Sequence, residues 1–169
     1  MDAPGNRDDV FVALDRLIAA TGDFVAAWGE ADPQMVDLLE DFTGWSLPPD
    51  FRAFALRYAN ANIGYTQVLA LGPLDGLPAA QALTEERRSE WTTSFPPDCL
   101  ALGEVNTDLI VLRSDGVVEF RTESSQDLAV FESHPSFTSF LKDAIDWATD
   151  RAKWLECLPQ SFDPWQTSS

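Results

Sequence analysis

Apolar residues recur at intervals of three and four from Val10 to Ile18. Val10, Phe11, Leu14, Leu17 and Ile18 therefore share one side of "DDVFVALDRLIAATG", which predicts an amphipathic helix capped by Asp8 or Asp9 and closed by Gly22. The next stretch, "GDFVAAWGEADP", is short and bounded by glycines, so Phe24 and Trp28 make either a second apolar face or a packed connection. Asp32 and Pro33 then read as an N-cap and a first helical residue, with Met35, Leu38, Leu39 and Phe42 at helical spacing behind them. Leu47 precedes Pro48, whose ring disfavours helical backbone in the residue before it, so that helix ends by "TGWS". A further helix opens at Pro49, with Asp50 at the positive end of its dipole. Phe51, Phe54, Ala55 and Tyr58 form its buried side, Arg52 and Arg57 stay in solvent, and "ANANIG" is its exit, because Asn and Gly tolerate left-handed backbone.

After Gly64 the period shortens. "YTQVLALGPLDGLPAA" is consistent with one or two short strands broken by Gly-Pro and Asp-Gly, and "QALTEERRSEW" is a short helix or an excursion ending at Trp91. "DLIVLRSDGVVEFRTE" is the clearest hairpin, turning at Ser-Asp-Gly, with Val118 and Phe120 on one face and Glu119 and Arg121 on the other. "DLAVFES" adds a strand and makes an antiparallel meander. Ser136 then caps a helix in which Phe137, Phe140, Leu141, Ala144, Ala148 and Leu155 form one stripe, closing the chain over the sheet before a polar tail in which Phe162 and Trp165 can tuck onto the surface.

At 169 residues and 45% apolar content the chain can build one core, and we expect one α+β domain. No apolar run approaches the roughly 20 residues of a membrane span, and "MDAPGNRDDV" lacks the basic and apolar regions of a secretory signal, so a cytoplasmic protein is expected. Cys99 and Cys157 are far apart and outside any metal-binding spacing, as befits reduced, partly buried thiols.

Charge changes the picture most. The net charge is -17 at pH 7, and the acidic excess is concentrated in residues 1–50 and 101–150. Such a field repels nucleic acid and anionic membrane, and it draws in basic proteins faster than diffusion alone. The same sequence is poor in reactive constellations. Its one histidine, His134, sits before Pro135 with no nucleophile motif, neither GxGxxG nor a Walker loop occurs, and the acid pairs Asp8/Asp9, Glu40/Asp41 and Glu85/Glu86 are adjacent residues without metal-ligand spacing. No catalytic residue, metal or cofactor is therefore assigned, and protein binding is the remaining class. The expected contact residues are acids and an aromatic around the sheet: Glu104, Asp108, Glu119, Glu123 and Asp127, with Trp91 as an anchor. The alternatives are that Glu119 is the solvated side of a strand and that Trp91 belongs to the core.

The order of motifs resembles the SUKH superfamily, which includes the Smi/Knr cell-wall assembly regulators. "LPPDFRAFALRYANANIG" is similar to that family's LPxDYxxFLxxYNG entry through Leu47, Pro48, Asp50, Phe51, Phe54 and Tyr58. Leu102, Gly103, Leu112, Gly116 and Val117 match a second motif, and Ser136, Phe137, Phe140 and Leu141 match the terminal "sFeeFL" helix. Ala59 and Ala61 flank Asn60 where the family often has Asn-Gly-Gly. The resemblance implies N-terminal helices, a central and mostly antiparallel sheet, and a C-terminal helix packed on it. Residues 31–158 would form the SUKH-like domain, 1–30 a helical extension and 159–169 a tail. It also implies a bacterial immunity protein that neutralises a cognate toxin with a basic surface, often a nuclease, by stoichiometric binding. The alternative is a regulatory scaffold resembling the cell-wall regulators.

Overall fold

The computed structural model describes residues 6–91, 95–123 and 128–166. Helix α1 (Arg7–Thr21) leads through a short helical turn (Gly22–Phe24) into strand β1 (Val25–Trp28), followed by α2 (Pro33–Thr43) and α3 (Pro49–Tyr58). Strands β2 (Asn60–Ile63) and β3 (Thr66–Leu69), a small ribbon of β4 (Pro73–Leu74) and β5 (Leu77–Pro78), and α4 (Ala79–Glu90) come next. The meander of β6 (Cys99–Val105), β7 (Asp108–Arg113), β8 (Val118–Glu123) and β9 (Leu128–His134) ends in α5 (Phe137–Trp154). The main sheet has seven strands in the order β1-β2-β3-β6-β7-β8-β9, every neighbouring pair antiparallel. The α+β class expected from the sequence is the one observed.

Alternation along the strands divides the side chains between two cores. On one face Val68, Leu100, Leu102, Ile110, Leu112 and Val118 meet the buried sides of α1, α3 and α5. On the other, Leu69, Cys99, Ala101, Leu109, Val111 and Leu128 meet Ala79 and Leu83 of α4, with Phe95 and half-buried Trp91. Helix α1 buries Val10, Phe11, Leu14 and Leu17 and packs on α5. Phe51 and Phe54 of α3 are fully buried against Phe137, and removing each ring from water is worth about 2–3 kcal/mol.

Helix starts follow local chemistry. Asp32 accepts the Gln34 amide at 2.9 Å in front of Pro33, and Ser136 accepts the Ser139 amide at 3.1 Å, as the sequence predicts. The cap of α1 is Asn6 rather than Asp8 or Asp9, because Asn6 Oδ1 accepts the Asp8 amide and both aspartates lie inside the first turn. Leu38 and Leu155, expected on buried stripes, are exposed; Leu155 lies just past the end of α5. Phe162 and Trp165 do pack on the main core, and Trp165 Nε1 donates to Asp146 at 2.6 Å.

Two readings of the sequence change, and a third is decided between its alternatives. "GDFVAAWG" supplies the edge strand β1, paired with β2. "ANANIG" is not a loose exit: α3 stops at Tyr58, Ala59 turns the chain with φ 57°, and Asn60–Ile63 is a strand flanked on both sides. Asn60 fixes that path, since its fully buried Oδ1 accepts the amides of Ala70 at 2.9 Å and Gly72 at 3.3 Å. "QALTEERRSEW" is a helix, one that covers the second face of the sheet.

Gly103 shows why one motif position has no side chain. It sits in a bulge of β6 with φ 152°, and a Cβ there would lie 2.0 Å from the Gln67 carbonyl oxygen of β3. Tyr58 is held by its hydroxyl, shared between the Phe11 carbonyl at 3.1 Å and Asp15 at 2.8 Å. Burial first, and the Asp15 carboxylate second, push its ionisation well above the ordinary tyrosine range.

Candidate functional site

The residues expected to meet a partner do not converge. Trp91, Glu104 and Glu119 belong to the α4 side of the sheet. There Glu104 is paired with Arg87 of α4, and Trp91 packs half-buried on the smaller core. Glu119 is only 5% exposed, against the expectation of a solvent-facing acid. Its carboxylate takes Arg113 Nη1 at 3.1 Å and Arg121 Nε at 3.0 Å and Nη2 at 2.5 Å, a paired group that holds the sheet together. Glu123 ends β8, and Asp127 lies outside the described residues. Of those whose side chains are described, Asp108 alone faces the α5 side, where its Oδ1 accepts Thr122 Oγ1 at 2.8 Å and where a groove opens.

That groove, of about 340 Å³, lies between α5 and the ends of β6 to β9. Its helical wall is Phe140, Asp143, Ala144 and Trp147, residues three and four apart and hence on one face of α5. Its floor is Phe120, Phe131, Glu132 and His134, and Asn106 of the β6–β7 turn and Asp108 at the start of β7 also line it. A bulge in β9 shapes the floor. Phe120 pairs with Glu132 but Arg121 pairs with Val130, so Phe131 is the extra residue. Such an insertion breaks the strict alternation and re-aims a side chain, and here Phe131 joins Glu132 in the groove instead of pointing to the opposite face.

Aromatic rings and carboxylates share this space. Phe131 is 54% exposed and stacks on Phe120 with centroids 5.9 Å apart, while His134 stands edge-on to Phe120 at 5.4 Å and to Phe140 at 5.8 Å. His134 is 5% exposed. Its Nδ1 lies 3.2 Å from Asp143 Oδ2 and its Nε2 3.3 Å from Glu132 Oε1, yet Nε2 makes no hydrogen bond. No lysine or arginine is among the described residues lining the groove. Trp147 extends the aromatic surface outward to Tyr65, centroids 5.7 Å apart, and Arg151 lies over both Tyr65 and the 69%-exposed Trp154.

The chemistry available is therefore recognition of positive charge by rings and carboxylates. Among the described residues lining the groove there is no serine or cysteine to serve as a nucleophile beside His134. Among the described residues no group of three or more His, Cys, Asp or Glu side chains is arranged to hold a metal ion, and no helix is long and apolar enough to cross a membrane. Cys99 lies on the other face, its thiol pushed up to about 12 by burial and, next, by the Asp98 carboxylate. Of the residues expected from the sequence to meet a partner, Asp108 lines this groove; the sequence does not single out Glu132, Asp143, His134, Phe131 and Trp147 as a group.

Comparison with known proteins gives a consistent picture. The model of the SMI1 / KNR4 family (SUKH-1) matches residues 30–143. A solved structure, described as the crystal structure of a protein from Pseudomonas syringae pv. tomato, is similar with a TM-score of 0.58 and 16% sequence identity, over 78% of this chain and 94% of that one. At that identity the likeness concerns the fold. No curated protein matches the chain.

Proposed function

Because this chain belongs to the SMI1 / KNR4 family (SUKH-1), we propose that it is an immunity protein, which neutralises a cognate secreted toxin by one-to-one binding and without turnover. It acts in the cytoplasm, on a toxin with a basic surface such as the phosphate-binding cleft of a nuclease. The observation that supports this most is the groove on the α5 face: Asp108, Glu132 and Asp143 surround exposed aromatic rings with no basic residue among the lining. Interfaces favour such an arrangement, in which aromatic anchors supply affinity and surrounding charge selects the partner and speeds encounter. The net charge of -17 adds long-range attraction of the same sign.

The experiment pairs the chain with candidate toxins drawn from the genes that flank its own. Co-expression rescues the cell, calorimetry gives one chain per toxin, and the association rate falls as salt rises. Rescue by amounts far below the toxin's own would mean turnover and would sink the binding mechanism. A chain that rescues no cell but captures several host proteins would fit the scaffold reading instead.

A further inference from the structure

We infer that the groove between α5 and the β8–β9 pair is a guanidinium site, which takes one arginine side chain presented by a protein partner. This deepens the function proposed above and rests on it only for the source of the arginine; the chemistry of the site is argued from its own residues.

Three carboxylates come from three separate elements, Asp108 from β7, Glu132 from β9 and Asp143 from α5, so negative charge surrounds the opening instead of lying along one edge. Among the described residues, Glu132 and Asp143 are ion-paired with no lysine or arginine and each lies near His134, at 3.3 and 3.2 Å. Independent of the acids, His134 Nε2 is a buried ring nitrogen with no hydrogen-bond partner, in a side chain 6% exposed that lines the groove. A buried polar atom left unpaired is costly, and a ligand N–H can reach Nε2 once the exposed Glu132 side chain swings aside to take a second N–H of the same group.

The rings decide which cation fits. Phe120 and Phe131 are nearly parallel, 20° apart, and Trp147 stands on the opposite wall. A flat, delocalised guanidinium stacks on such faces while its N–H edge reaches several acceptors at once, whereas an ammonium is a compact, strongly hydrated point charge that cannot do both. Anions are repelled, and a neutral amide would leave the carboxylates uncompensated. The volume of about 340 Å³ suits one long side chain and is too small for a helix or strand.

The test titrates the full chain with Nα-acetyl-arginine amide, Nα-acetyl-lysine amide and the neutral citrulline analogue, read by NMR shifts of Phe131, His134 and Trp147. The arginine probe should saturate these signals, the lysine probe should bind about tenfold more weakly, and citrulline should leave them unmoved. Glu132→Gln with Asp143→Asn, both at exposed positions, should weaken the arginine probe by about tenfold or more while the remaining spectrum stays folded. Equal binding of citrulline, or unsaturable shifts spread over the acidic surface, would overturn the site. If the double variant still rescues cells from the toxin and the arginine probe leaves the groove unperturbed, the guanidinium site fails and the immunity reading stands. If the probe saturates the groove but no toxin is bound, the site stands and the immunity reading fails.

Discussion

Asp50 at the start of α3 holds Thr138 at the start of α5, 88 residues further along: Asp50 Oδ2 accepts the Thr138 amide at 2.8 Å and its hydroxyl at 3.1 Å. Oδ1 of the same carboxylate accepts the Phe51 amide at 2.9 Å. One acid thus serves the positive ends of two helices, which gives the "LPPD" motif a physical reason for its aspartate. Asp50→Ala should lower stability by about 2 kcal/mol, and Asp50→Asn by less because an acceptor remains. Urea unfolding checks this as a lower midpoint at unchanged slope.

Gly103→Ala should be the more damaging of two glycine substitutions. Its new Cβ would meet the Gln67 carbonyl oxygen at 2.0 Å, a backbone atom that cannot swing away, whereas a Cβ on Gly44 meets nothing within 4 Å and suffers only from φ 77°. Gly44→Ala should cost about 1 kcal/mol and Gly103→Ala more than about 2 kcal/mol, with loss of the β3–β6 junction. Thermal midpoints of the two variants rank them directly.

Glu119→Gln tests the corrected role of that residue. Removing its charge leaves Arg121, whose side chain is 13% exposed, without its carboxylate and weakens the hold on Arg113. The expected loss is about 3 kcal/mol. At temperatures where the variant stays folded, its association rate with a basic partner should match the wild type, because the residue lies on the face away from the groove. A slowed association with intact stability would contradict this placement.

The two thiols should separate cleanly. Cys157 is exposed and Cys99 is buried, so iodoacetamide at pH 8 should label Cys157 alone, with Cys99 reacting only as urea unfolds the chain, as mass spectrometry would show. Because folding raises the Cys99 thiol from its ordinary 9.0 to about 12, the folded state keeps that proton longer than the unfolded chain does. Its contribution to stability is therefore full below pH 9 and fades as pH climbs toward 12. Tyr58, raised for the same reason of burial, acts in the same direction. Cys99→Ala should flatten part of the alkaline fall in the melting temperature.

Periodicity together with cap and proline signals reveals α1, α2, α3 and α5, because each buries one stripe behind a marked start, and the Ser-Asp-Gly turn reveals the β7–β8 hairpin. Strands β1 and β2 are hidden in the sequence: Ala favours helix and Asn favours turns, and only pairing with distant partners makes "NANI" extended. Glu119 was misread because alternation identifies the face opposite Val118 without saying that this face, too, is covered. The groove was invisible for a related reason. A one-residue bulge in β9 turns Phe131 toward Glu132, and "LAVFESH" contains no glycine or proline to announce it. Asp143 and Trp147 lie off the apolar stripe of their helix, and only the sheet beneath them makes them a wall.

The packing of α1 on α5 sets the length of chain that must be kept intact. The family match spans 30–143, whereas Leu14 and Leu17 before it, and Ile145, Ala148 and Ala152 after it, lie in the same buried cluster as Phe54 and Ile63. A truncated piece cut at those limits would strip the lid from an oily layer and clump in water. The stretch that reveals kinship is thus shorter than the stretch that can survive expression, and recombinant fragments should be trimmed by the second.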